Sequence, residues 1–586
     1  MDLKERDIIR IVKPLIDSKL VEEAAFIQSV LSHSKNDPEI ILSLTKLLTE
    51  IAGKVKYEPG WTPYYVVNFC VSEESSFEFL HFAAKICEFY LVHDRAYALL
   101  LTAWQKGNRT LLTIVKLGQL AAKLSNREDL KRWISEASRI YEELCVNDCI
   151  NDAIAVESQI YNSLIKQIEE DDFVADSMEA LSPHTYAASK KIGVAGGNVA
   201  PLTKQIDPET IGFIFPRGAL LAHTKVVLSM MQGLQRLSSR KMIPVVLVLG
   251  GDCPTEFSKA FRELNVKTIH IPRIYSSRDG SDFAAHIAEV RATVGSLGIR
   301  TVVWISVPCT AGWYFGARIA QRQIYWTMKF HSQFSPEIDL YVSCGSIWEK
   351  QKMVRGRKWL TGPVSFEDAL SGGNASEAIA IRNSFAPGTT ILGVLARTEK
   401  IFSVPYLAAV AEILDQNKEC IFLWTGRDEH SGVKGFFSER GLADRAIFIG
   451  WVNTATYAQV LDIFLETFPF GCGMTAAQSL AATVPVISYN HWSTIYGAHA
   501  APLLNREVGS DADREDLRNL FFPSDKQNLL SIADDSDKYI ALANSLIRDD
   551  RFRKRVANAG NSFYVKYLGN SKYSAERFSR IFTEKQ

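Results

Sequence analysis

From residue 211 onward, short apolar segments alternate with segments of helical pattern, and this alternation limits the possible folds more than any other feature of the chain. Apolar strands joined by helices predict parallel sheets covered by helices on both faces. A polar, glycine-rich stretch at about 345–386 divides the strands into two series. We therefore predict an α/β fold, with two Rossmann-like domains that face a cleft at the carboxyl ends of their strands. The expected strands are Ile211–Phe215, Pro244–Leu249, Val266–Ile271, Thr301–Ile305 and Ile338–Val342, then Thr390–Leu395, Ile421–Trp424, Ala446–Ile449, a strand ending at Phe468-Pro-Phe-Gly471, and Val484–Ile487.

The residues before this region read as helices. Apolar side chains recur at helical spacing, for example in Phe77–Ala83 and Arg109–Val115. This all-α part is either a structural appendage or a surface that receives another protein. Closely spaced prolines and glycines after it indicate a linker. The last helices either close the second Rossmann-like domain or cross back to the first. The predicted boundaries are 1–180 for the all-α domain, 181–208 for the linker, 209–365 and 366–545 for the Rossmann-like domains, and 546–586 for the C-terminal helices.

Charge and cysteine usage exclude several classes of protein. The 586 residues include 66 basic and 66 acidic side chains, so no overall charge attracts nucleic acid or an anionic membrane. The start of the chain is charged and lacks a secretory signal, and no apolar run reaches the ~20 residues that span a bilayer. The nine cysteines form no CxxC pair. We expect a cytoplasmic protein with no nucleic-acid partner and no membrane span.

The stretch from Phe468 to Asn490 combines a glycine turn with a helix of small residues. Glycines in the turn allow backbone N–H groups to approach an anion, and the start of the following helix adds about half a positive charge. Many α/β turns that bind nothing look the same, so the neighbouring residues have to support the prediction. The candidate residues for binding a diphosphate here are Gly471, Gly473, Met474 and Thr475.

Three further groups follow strands of the second series. Arg397, Thr398 and Lys400 begin a helix, where they either cap it in solvent or neutralise a departing phosphate, a contact that contributes ~3 kcal/mol to a transition state. Trp451 presents its indole either to a nucleobase or to the core. Gln478 offers its amide to a ribose hydroxyl or faces solvent.

Two histidines lie at the expected edge of the first sheet. His223 begins a helix, and His331 lies in a turn before a strand. A histidine facing the cleft can orient a substrate or take a proton, whereas an isolated one is more often a cap or surface group. Arg427 either adds a further cation at a turn after a strand or, as is more common, lies in a plain surface turn. The Asp-x-Asp triplets at 511–513 and 535–537 read as solvated segments, and we predict no metal site.

These motifs, in this order, resemble the GT-B glycosyltransferases of family forty-one, which include bacterial cytoplasmic N-glycosyltransferases and the O-GlcNAc transferases. The similarity covers roughly residues 205–500, with a compatible helical domain before it. Gln478 stands where relatives carry an aspartate, and Met474 where bacterial members carry an asparagine. The matching motifs are Phe468-Pro-Phe-Gly471 before the nucleotide-sugar loop, His223-Thr224 at the first cleft helix, the stretch Gln321–Ser332 that ends in His-Ser, and the pair Thr398 and Lys400.

The resemblance implies a hexosyltransferase that moves a sugar from a nucleotide diphosphate sugar, a UDP-sugar, to a protein side chain. It implies inversion at the anomeric carbon, no metal and no cofactor beyond the donor. Open alternatives are a transferase acting on polysaccharide or lipid-linked glycan, a nucleotide-sugar epimerase, and a non-catalytic adaptor with a relic fold. The implied roles are diphosphate binding for Lys400, Arg397, Thr398 and the glycine turn, nucleoside binding for Trp451 and Gln478, and contact with sugar and acceptor for His331 and His223.

Overall fold

The chain divides into two compact units, residues 1–143 with 156–168, and residues 144–155 with 169–586. No described helix is both long enough and apolar enough to cross a membrane. Residues 1–76 of the predicted all-α domain lie outside the described residues. The computed structural model describes residues 77–89, 92–124, 126–167, 171–195, 207–237, 242–273, 281–305, 307–328, 331, 333–345, 350–427, 431–491, 493–499, 512–523 and 527–583.

The described part of the first unit is helical. Its Trp133 is buried, donates from the indole N–H to Tyr97 Oη at 3.1 Å, and meets Trp104 edge-on. Gly118 has to lack a side chain, because a Cβ there would press on Leu164. The helices are α1 (Phe77–Phe89), α2 (His93–Gln105), α3 (Leu111–Lys123) and most of α4 (Arg127–Val146) and α5 (Ile150–Ser163), with a short 3-10 turn at Ile165–Gln167.

After residues 144–155, the second unit continues with a long helix and an eight-stranded sheet. The strand at Ile243–Gly250 shows why these segments form strands, since its residues 244–249 are buried on both faces, as in a parallel sheet covered by helices. The elements are α6 (Asp171–Ala195), β1 (Asp207–Phe215), α7 (Ala222–Gln235), β2 (Ile243–Gly250), α8 (Thr255–Arg262), β3 (Lys267–Pro272), α9 (Ser281–Ser296), β4 (Ile299–Ile305), α10 (Ala311–Gly316), β5 (Arg322–Thr327), β6 (Leu340–Cys344), β7 (Gln351–Val354) and β8 (Arg357–Gly362).

A six-stranded sheet and the terminal helices follow. The elements are α11 (Ala375–Asn383), β9 (Thr390–Val394), α12 (Thr398–Ile401), α13 (Val404–Gln416), β10 (Cys420–Trp424), α14 (Ser431–Ser438), β11 (Ala446–Phe448), α15 (Thr454–Tyr457), β12 (Ile463–Leu465), α16 (Met474–Ala481), β13 (Val486–Tyr489), α17 (Ile495–His499), α18 (Ala512–Phe521), β14 (Ile532–Ala533), α19 (Ser536–Arg548), α20 (Asp550–Phe563), a π-helical turn (Tyr564–Leu568) and α21 (Ser571–Thr583).

Both sheets are doubly wound. The first has the strand order β3-β2-β1-β4-β5-β6-β8-β7, and the second has β11-β10-β9-β12-β13-β14. Within the first sheet only β7 and β8 pair antiparallel, and the second sheet is parallel throughout. The direction of winding reverses between β1 and β4 and again between β9 and β12, and ligands of such folds bind outside the carboxyl strand ends at these reversal points. The predicted α/β fold with two Rossmann-like sheets is confirmed.

The terminal helix α21 settles one of the alternatives. It packs against the first sheet, where Phe578 meets Trp326 with ring centroids 4.5 Å apart and Arg322 donates to the Phe582 carbonyl at 2.7 Å. Gly233 in α7 leaves room for it, because a Cβ there would collide with the Ser571 carbonyl. The chain therefore crosses back to the first sheet after completing the second.

The predicted linker at 181–208 needs correction, because helix α6 continues to Ala195. Pro183 and Gly193, two of the closely spaced prolines and glycines that indicate a linker, lie within this helix. The helix tolerates Pro183, at a typical cost of ~3 kcal/mol, because it buries an apolar face that includes Leu181. Gly193 serves close packing instead, since a Cβ there would lie 2.9 Å from the Ala317 carbonyl oxygen. Residues 196–206 lie outside the described residues.

Candidate functional site

Two loops meet at the reversal point of the second sheet. One leads from β9 into α12, and the other leads from β12 into the glycine turn. Lys400 in α12 donates from Nζ to the carbonyl oxygen of Gly471. Arg397 and Thr398 start the same helix, and all three side chains are half-buried. The structure thus brings Lys400 to the predicted glycine turn, with Arg397 and Thr398 at the start of the helix that carries it.

A buried carboxylate lies beneath the turn. Glu466 directly follows β12, has no exposed surface, and accepts hydrogen bonds from Cys472 N–H (2.9 Å), Ile495 N–H (3.1 Å) and the Ser488 hydroxyl. Burial raises the pKa of the Glu466 carboxyl, while these three donors and the nearby Lys400 ammonium act in the opposite direction. A single carboxylate therefore joins three separate segments behind the turn.

The loop after β13 is attached to the same turn. Ser493 Oγ accepts from Gly471 N–H at 3.1 Å, donates to the Pro469 carbonyl at 3.3 Å and lies 2.8 Å from His491 Nδ1. The His491 ring meets Phe470 nearly edge-on, with centroids 6.2 Å apart. The glycine turn is therefore held from both neighbouring loops.

These bonds decide which backbone donors of the turn remain available. The N–H groups of Gly471 and Cys472 donate to Ser493 and Glu466. Among the described residues, no acceptor binds the N–H groups of Gly473 or Met474. The donors available to an anion are thus those at the start of α16, where the helix dipole also favours negative charge.

The two glycines of the turn serve different purposes. A Cβ on Gly471 would collide with the Ser493 carbonyl and would lie 2.6 Å from Glu466 Oε1 and from Thr494 Cα. Gly473 has open space around it, and its φ of +47° is one that side chains disfavour. Gly471 is therefore required by close packing, whereas Gly473 is required by backbone conformation.

Gln478 lies inside the molecule, so the alternative in which it faces solvent is wrong. Its side chain is 2% exposed, and Nε2 donates to the carbonyl oxygen of Ala369 at 3.0 Å. This bond sets the orientation of the amide, because the reversed amide would place two acceptors together. Oε1 is buried and has no hydrogen-bond partner among the residues that the structure describes. Ala476 and Ala477 beside it are fully buried.

Trp451 follows β11 at the carboxyl edge of the second sheet. Its side chain is 67% exposed, so the alternative of core packing is wrong. The guanidinium of Arg427, after β10, lies 5.5 Å from the indole centroid. Arg427, read as a plain surface residue, thus forms a cation–π contact that orients the indole.

The two histidines lie on the first sheet. His223 is half-buried in the first turn of α7 and stacks on Phe215 with centroids 6.4 Å apart. His331 is 8% exposed, and its carbonyl accepts from the Tyr325 hydroxyl at 2.8 Å. They follow β1 and β5, and β4 lies between these strands, which puts the strand axes about 10 Å apart. The structure does not bring these two histidines together as it brings Lys400 to the glycine turn.

A different polar cluster occupies the end of β3. Arg273 donates to Asn151 Oδ1 at 2.7 Å, and Asn151 donates to Asp282 Oδ1 at 2.6 Å. His286 Nε2 lies 3.1 Å from Tyr314 Oη. Burial, followed by the charge of Arg273, lowers the pKa of His286 to about 4. His286 is therefore neutral at physiological pH and contributes to packing.

The sequence prediction missed Glu466, Ser488 and Ser493. Glu466 had a usable signal, because it is a carboxylate at the end of an apolar strand, where a buried charge needs compensation. The two serines had none, since their partners lie 22 residues away in the chain.

No protein-family model and no curated protein sequence matches this chain. Among solved structures, a mutant O-GlcNAc transferase from Thermobaculum terrenum aligns with 96% of this chain and 98% of its own, at 15% identity and a TM-score of 0.52. The chain has the GT-B fold. At this identity the likeness extends to the fold, and membership of family forty-one stays a prediction. HepE of Anabaena in complex with UDP and glucose aligns with 64% of this chain and 99% of its own, at 11% identity and a TM-score of 0.44. A UDP-N-acetylglucosamine 2-epimerase aligns with 63% of this chain and 94% of its own, at 11% identity and a TM-score of 0.34.

Proposed function

We propose that this GT-B protein is a glycosyltransferase that moves a sugar from a UDP-sugar to a protein side chain, with inversion and without a metal ion. The observation that carries the proposal is the hydrogen bond from Lys400 Nζ to Gly471. It holds an ammonium group beside the glycine turn and the start of α16, at the reversal point where such sheets bind ligands. The fold shared with an O-GlcNAc transferase supports a sugar donor. The cytoplasmic location stays a prediction.

The diphosphate would lie between the cations of α12 and the N–H groups of Gly473 and Met474. Trp451, exposed and held by Arg427, would stack on the base, and Gln478 Oε1 would accept from a ribose hydroxyl. These placements leave the sugar directed away from the second sheet. His223 and His331, on the first sheet, would then face acceptor and sugar.

The reaction would be a single displacement. The acceptor atom forms a bond to the anomeric carbon, and the electron pair of the breaking C–O bond leaves with UDP. The proton that the acceptor hydroxyl or amide loses passes to water or to the departing UDP. Lys400 would stabilise the negative charge that develops on the departing diphosphate, a preorganised contact worth ~3 kcal/mol in comparable sites. Attack from the face opposite the leaving group inverts the configuration.

The test is the Lys400→Ala variant. Turnover of UDP-glucose and UDP-N-acetylglucosamine, including slow hydrolysis, should fall roughly a hundredfold, which corresponds to the ~3 kcal/mol above. Lys418→Ala is the matched control, because Lys418 is an exposed lysine in the connection before β10, paired with Asp415. Turnover within a few-fold of wild type in Lys400→Ala would remove the proposed role of this residue.

The acceptor and the alternatives are separated by one panel of assays. Labelled donors are incubated with peptides, with oligosaccharides and with no acceptor. Transfer to peptides supports the proposal, and transfer to glycans alone indicates a polysaccharide or lipid-linked acceptor. Formation of an epimeric sugar without acceptor, as distinct from slow hydrolysis of the donor to the same sugar, indicates an epimerase. Binding without any turnover indicates an adaptor. A thermal-shift series of nucleotides identifies the base, because a ligand that binds the folded state raises its apparent stability.

A further inference from the structure

The carboxylate beneath the glycine turn has no part in the proposed reaction, yet it has the most demanding surroundings in the second sheet. Glu466 has no exposed surface, and all three of its side-chain partners are donors, Cys472 N–H, Ile495 N–H and the Ser488 hydroxyl. Two are backbone groups that cannot rotate away. Both backbone N–H groups require an acceptor, which a carboxylate supplies at either oxygen.

The position of Glu466 presents an electrostatic conflict. An anion lies directly behind a turn that is proposed to bind a diphosphate, and like charges disfavour each other. Lys400 is close enough to interact with the Glu466 carboxylate while it donates to Gly471. The carboxylate therefore opposes the ligand through its charge and favours it through the groups that it holds in place.

We propose that Glu466 is a positioning residue for the diphosphate, and that its structural effect outweighs its charge. By holding Cys472 N–H and the start of α17, it shapes the turn so that the N–H groups of Gly473 and Met474 stay free for the ligand. Its charge also retains the Lys400 ammonium beside the turn. This inference depends on the proposed function, because it assumes that the turn binds a diphosphate.

The surroundings of Glu466 reinforce this role. Its own carbonyl accepts from the Tyr539 hydroxyl at 3.0 Å, and the preceding carbonyl, of Leu465, accepts from the Tyr406 hydroxyl at 2.9 Å. Phe468, two residues later, packs on both tyrosine rings. The backbone that carries the carboxylate is thus fixed on both sides, so a change at Glu466 is transmitted to the turn rather than absorbed by the strand.

The decisive variant is Glu466→Gln, because the two effects predict opposite results. Loss of the charge alone would strengthen UDP binding. Loss of positioning would weaken it, since a glutamine has one acceptor oxygen where the carboxylate has two. With its oxygen at the Oε1 position, Cys472 N–H and Ile495 N–H must share that acceptor, at 2.9 and 3.2 Å, and the NH₂ group lies against Ile495 N–H. We expect UDP to bind at least tenfold more weakly, or about 1.4 kcal/mol, in isothermal titration calorimetry. Uridine, which lacks phosphates, should bind as to wild type.

Glu412→Gln, at an exposed glutamate of α13, is the matched control and should bind UDP as wild type does. Equal or tighter UDP binding by Glu466→Gln would overturn the inference, as would an equal loss for uridine. If wild type itself bound no UDP, the proposed function would fail as well.

Ser488→Ala provides a second route if Glu466→Gln does not fold. It removes one donor to the carboxylate and leaves the charge and both backbone bonds in place. We expect UDP to bind about threefold more weakly and uridine to bind unchanged. Wild-type UDP affinity in folded Ser488→Ala, together with an unfolded Glu466→Gln, would show that the carboxylate serves folding alone and would overturn the inference.

Discussion

The two sheets have the same strand order up to the sixth strand, but their reversal points are built differently. At the second, Lys400, Glu466 and Ser493 join three loops around the glycine turn through bonds to its backbone. At the first, His223 stacks on the end of its own strand, and His331 follows a strand two positions away. One edge is held together by side chains from several loops, whereas the other carries separate side chains.

This difference suggests a division of labour between the sheets. A diphosphate has a fixed shape, so a rigid set of donors can be complementary to it before it binds. The proposed protein acceptor varies in shape, and side chains that are not bonded to one another can adapt to it. The dense polar cluster of the first sheet, around Arg273 and His286, lies at the end of β3 and not at the reversal point. The hydrogen bonds of this polar cluster therefore stabilise the domain and do not preorganise a ligand site.

The largest effect is expected from a variant that displaces the glycine turn at the reversal point of the second sheet. In Gly471→Ala, the new Cβ meets the Ser493 carbonyl and Thr494 Cα, which are backbone atoms that cannot move independently. About 3 kcal/mol of overpacking should displace the turn, and UDP affinity measured by calorimetry should fall roughly a hundredfold. Gly435→Ala, at a helical glycine with open space around it, should leave UDP affinity unchanged. Unaltered UDP binding in Gly471→Ala would show that the turn is not rigid.

The sequence was sufficient for features that depend on local pattern. Apolar runs alternating with helices predicted both sheets, and glycines beside small residues predicted the turn at Gly471. It was insufficient where a residue depends on partners remote in the chain. Glu466 and Ser493 bind groups brought together only by the crossovers between strands, and the contact of Arg427 with Trp451 joins two separate loops. Pro183 predicted a loop but lies inside α6. This helix persists because of its packing against the rest of the protein, which the local sequence pattern does not show.

The next prediction concerns the stability of the first sheet. The pKa of His286 is lowered from 6.5 to about 4, so the unfolded chain takes up a proton at a higher pH than the folded protein. Stability is therefore full above pH 6.5 and is lost as the pH falls toward 4, by about 2 kcal/mol between pH 7 and pH 5. Urea unfolding at several pH values measures this loss.

The matched variants test whether His286 causes the loss. His286→Asn should remove most of the pH dependence between 7 and 5, although it also lowers stability at pH 7 by breaking the contact with Tyr314. His270→Asn, at an exposed histidine of β3, should keep the pH dependence of wild type. If His286→Asn kept it too, the acid sensitivity would belong to other groups, and the first sheet would not be stabilised as described.

A smaller effect is expected at Trp451, where a substitution should weaken UDP binding without changing the stability of the protein. The indole is 67% exposed, so Trp451→Ala should change the free energy of unfolding by less than about 0.5 kcal/mol. A base stacked on an aromatic ring typically contributes 1–3 kcal/mol, so UDP should bind roughly tenfold more weakly. Trp451→Phe should restore part of this loss. A loss of stability without a loss of UDP affinity would place Trp451 in the scaffold.

The smallest effect is expected at Gln478, and it tests whether this side chain belongs to the preorganised binding groups of the second sheet. In Gln478→Met, the shape is kept, the bond to the Ala369 carbonyl is lost, and the buried unpaired Oε1 disappears. Losing the bond costs about 1 kcal/mol, whereas removing an unpaired buried acceptor gains a similar amount, so stability should hardly change.

Binding should respond differently in Gln478→Met, because an acceptor without a partner in the free protein can be satisfied by a ribose hydroxyl. UDP should bind three- to tenfold more weakly to the variant, and either 2′-deoxy- or 3′-deoxy-UDP should bind equally to both proteins. If both deoxy analogues lost as much affinity as UDP, Oε1 would contact no hydroxyl. Gln478 would then only connect α16 to the backbone at Ala369. The preorganised part of the site would in that case include the groups that bind the diphosphate but not a group that binds the ribose.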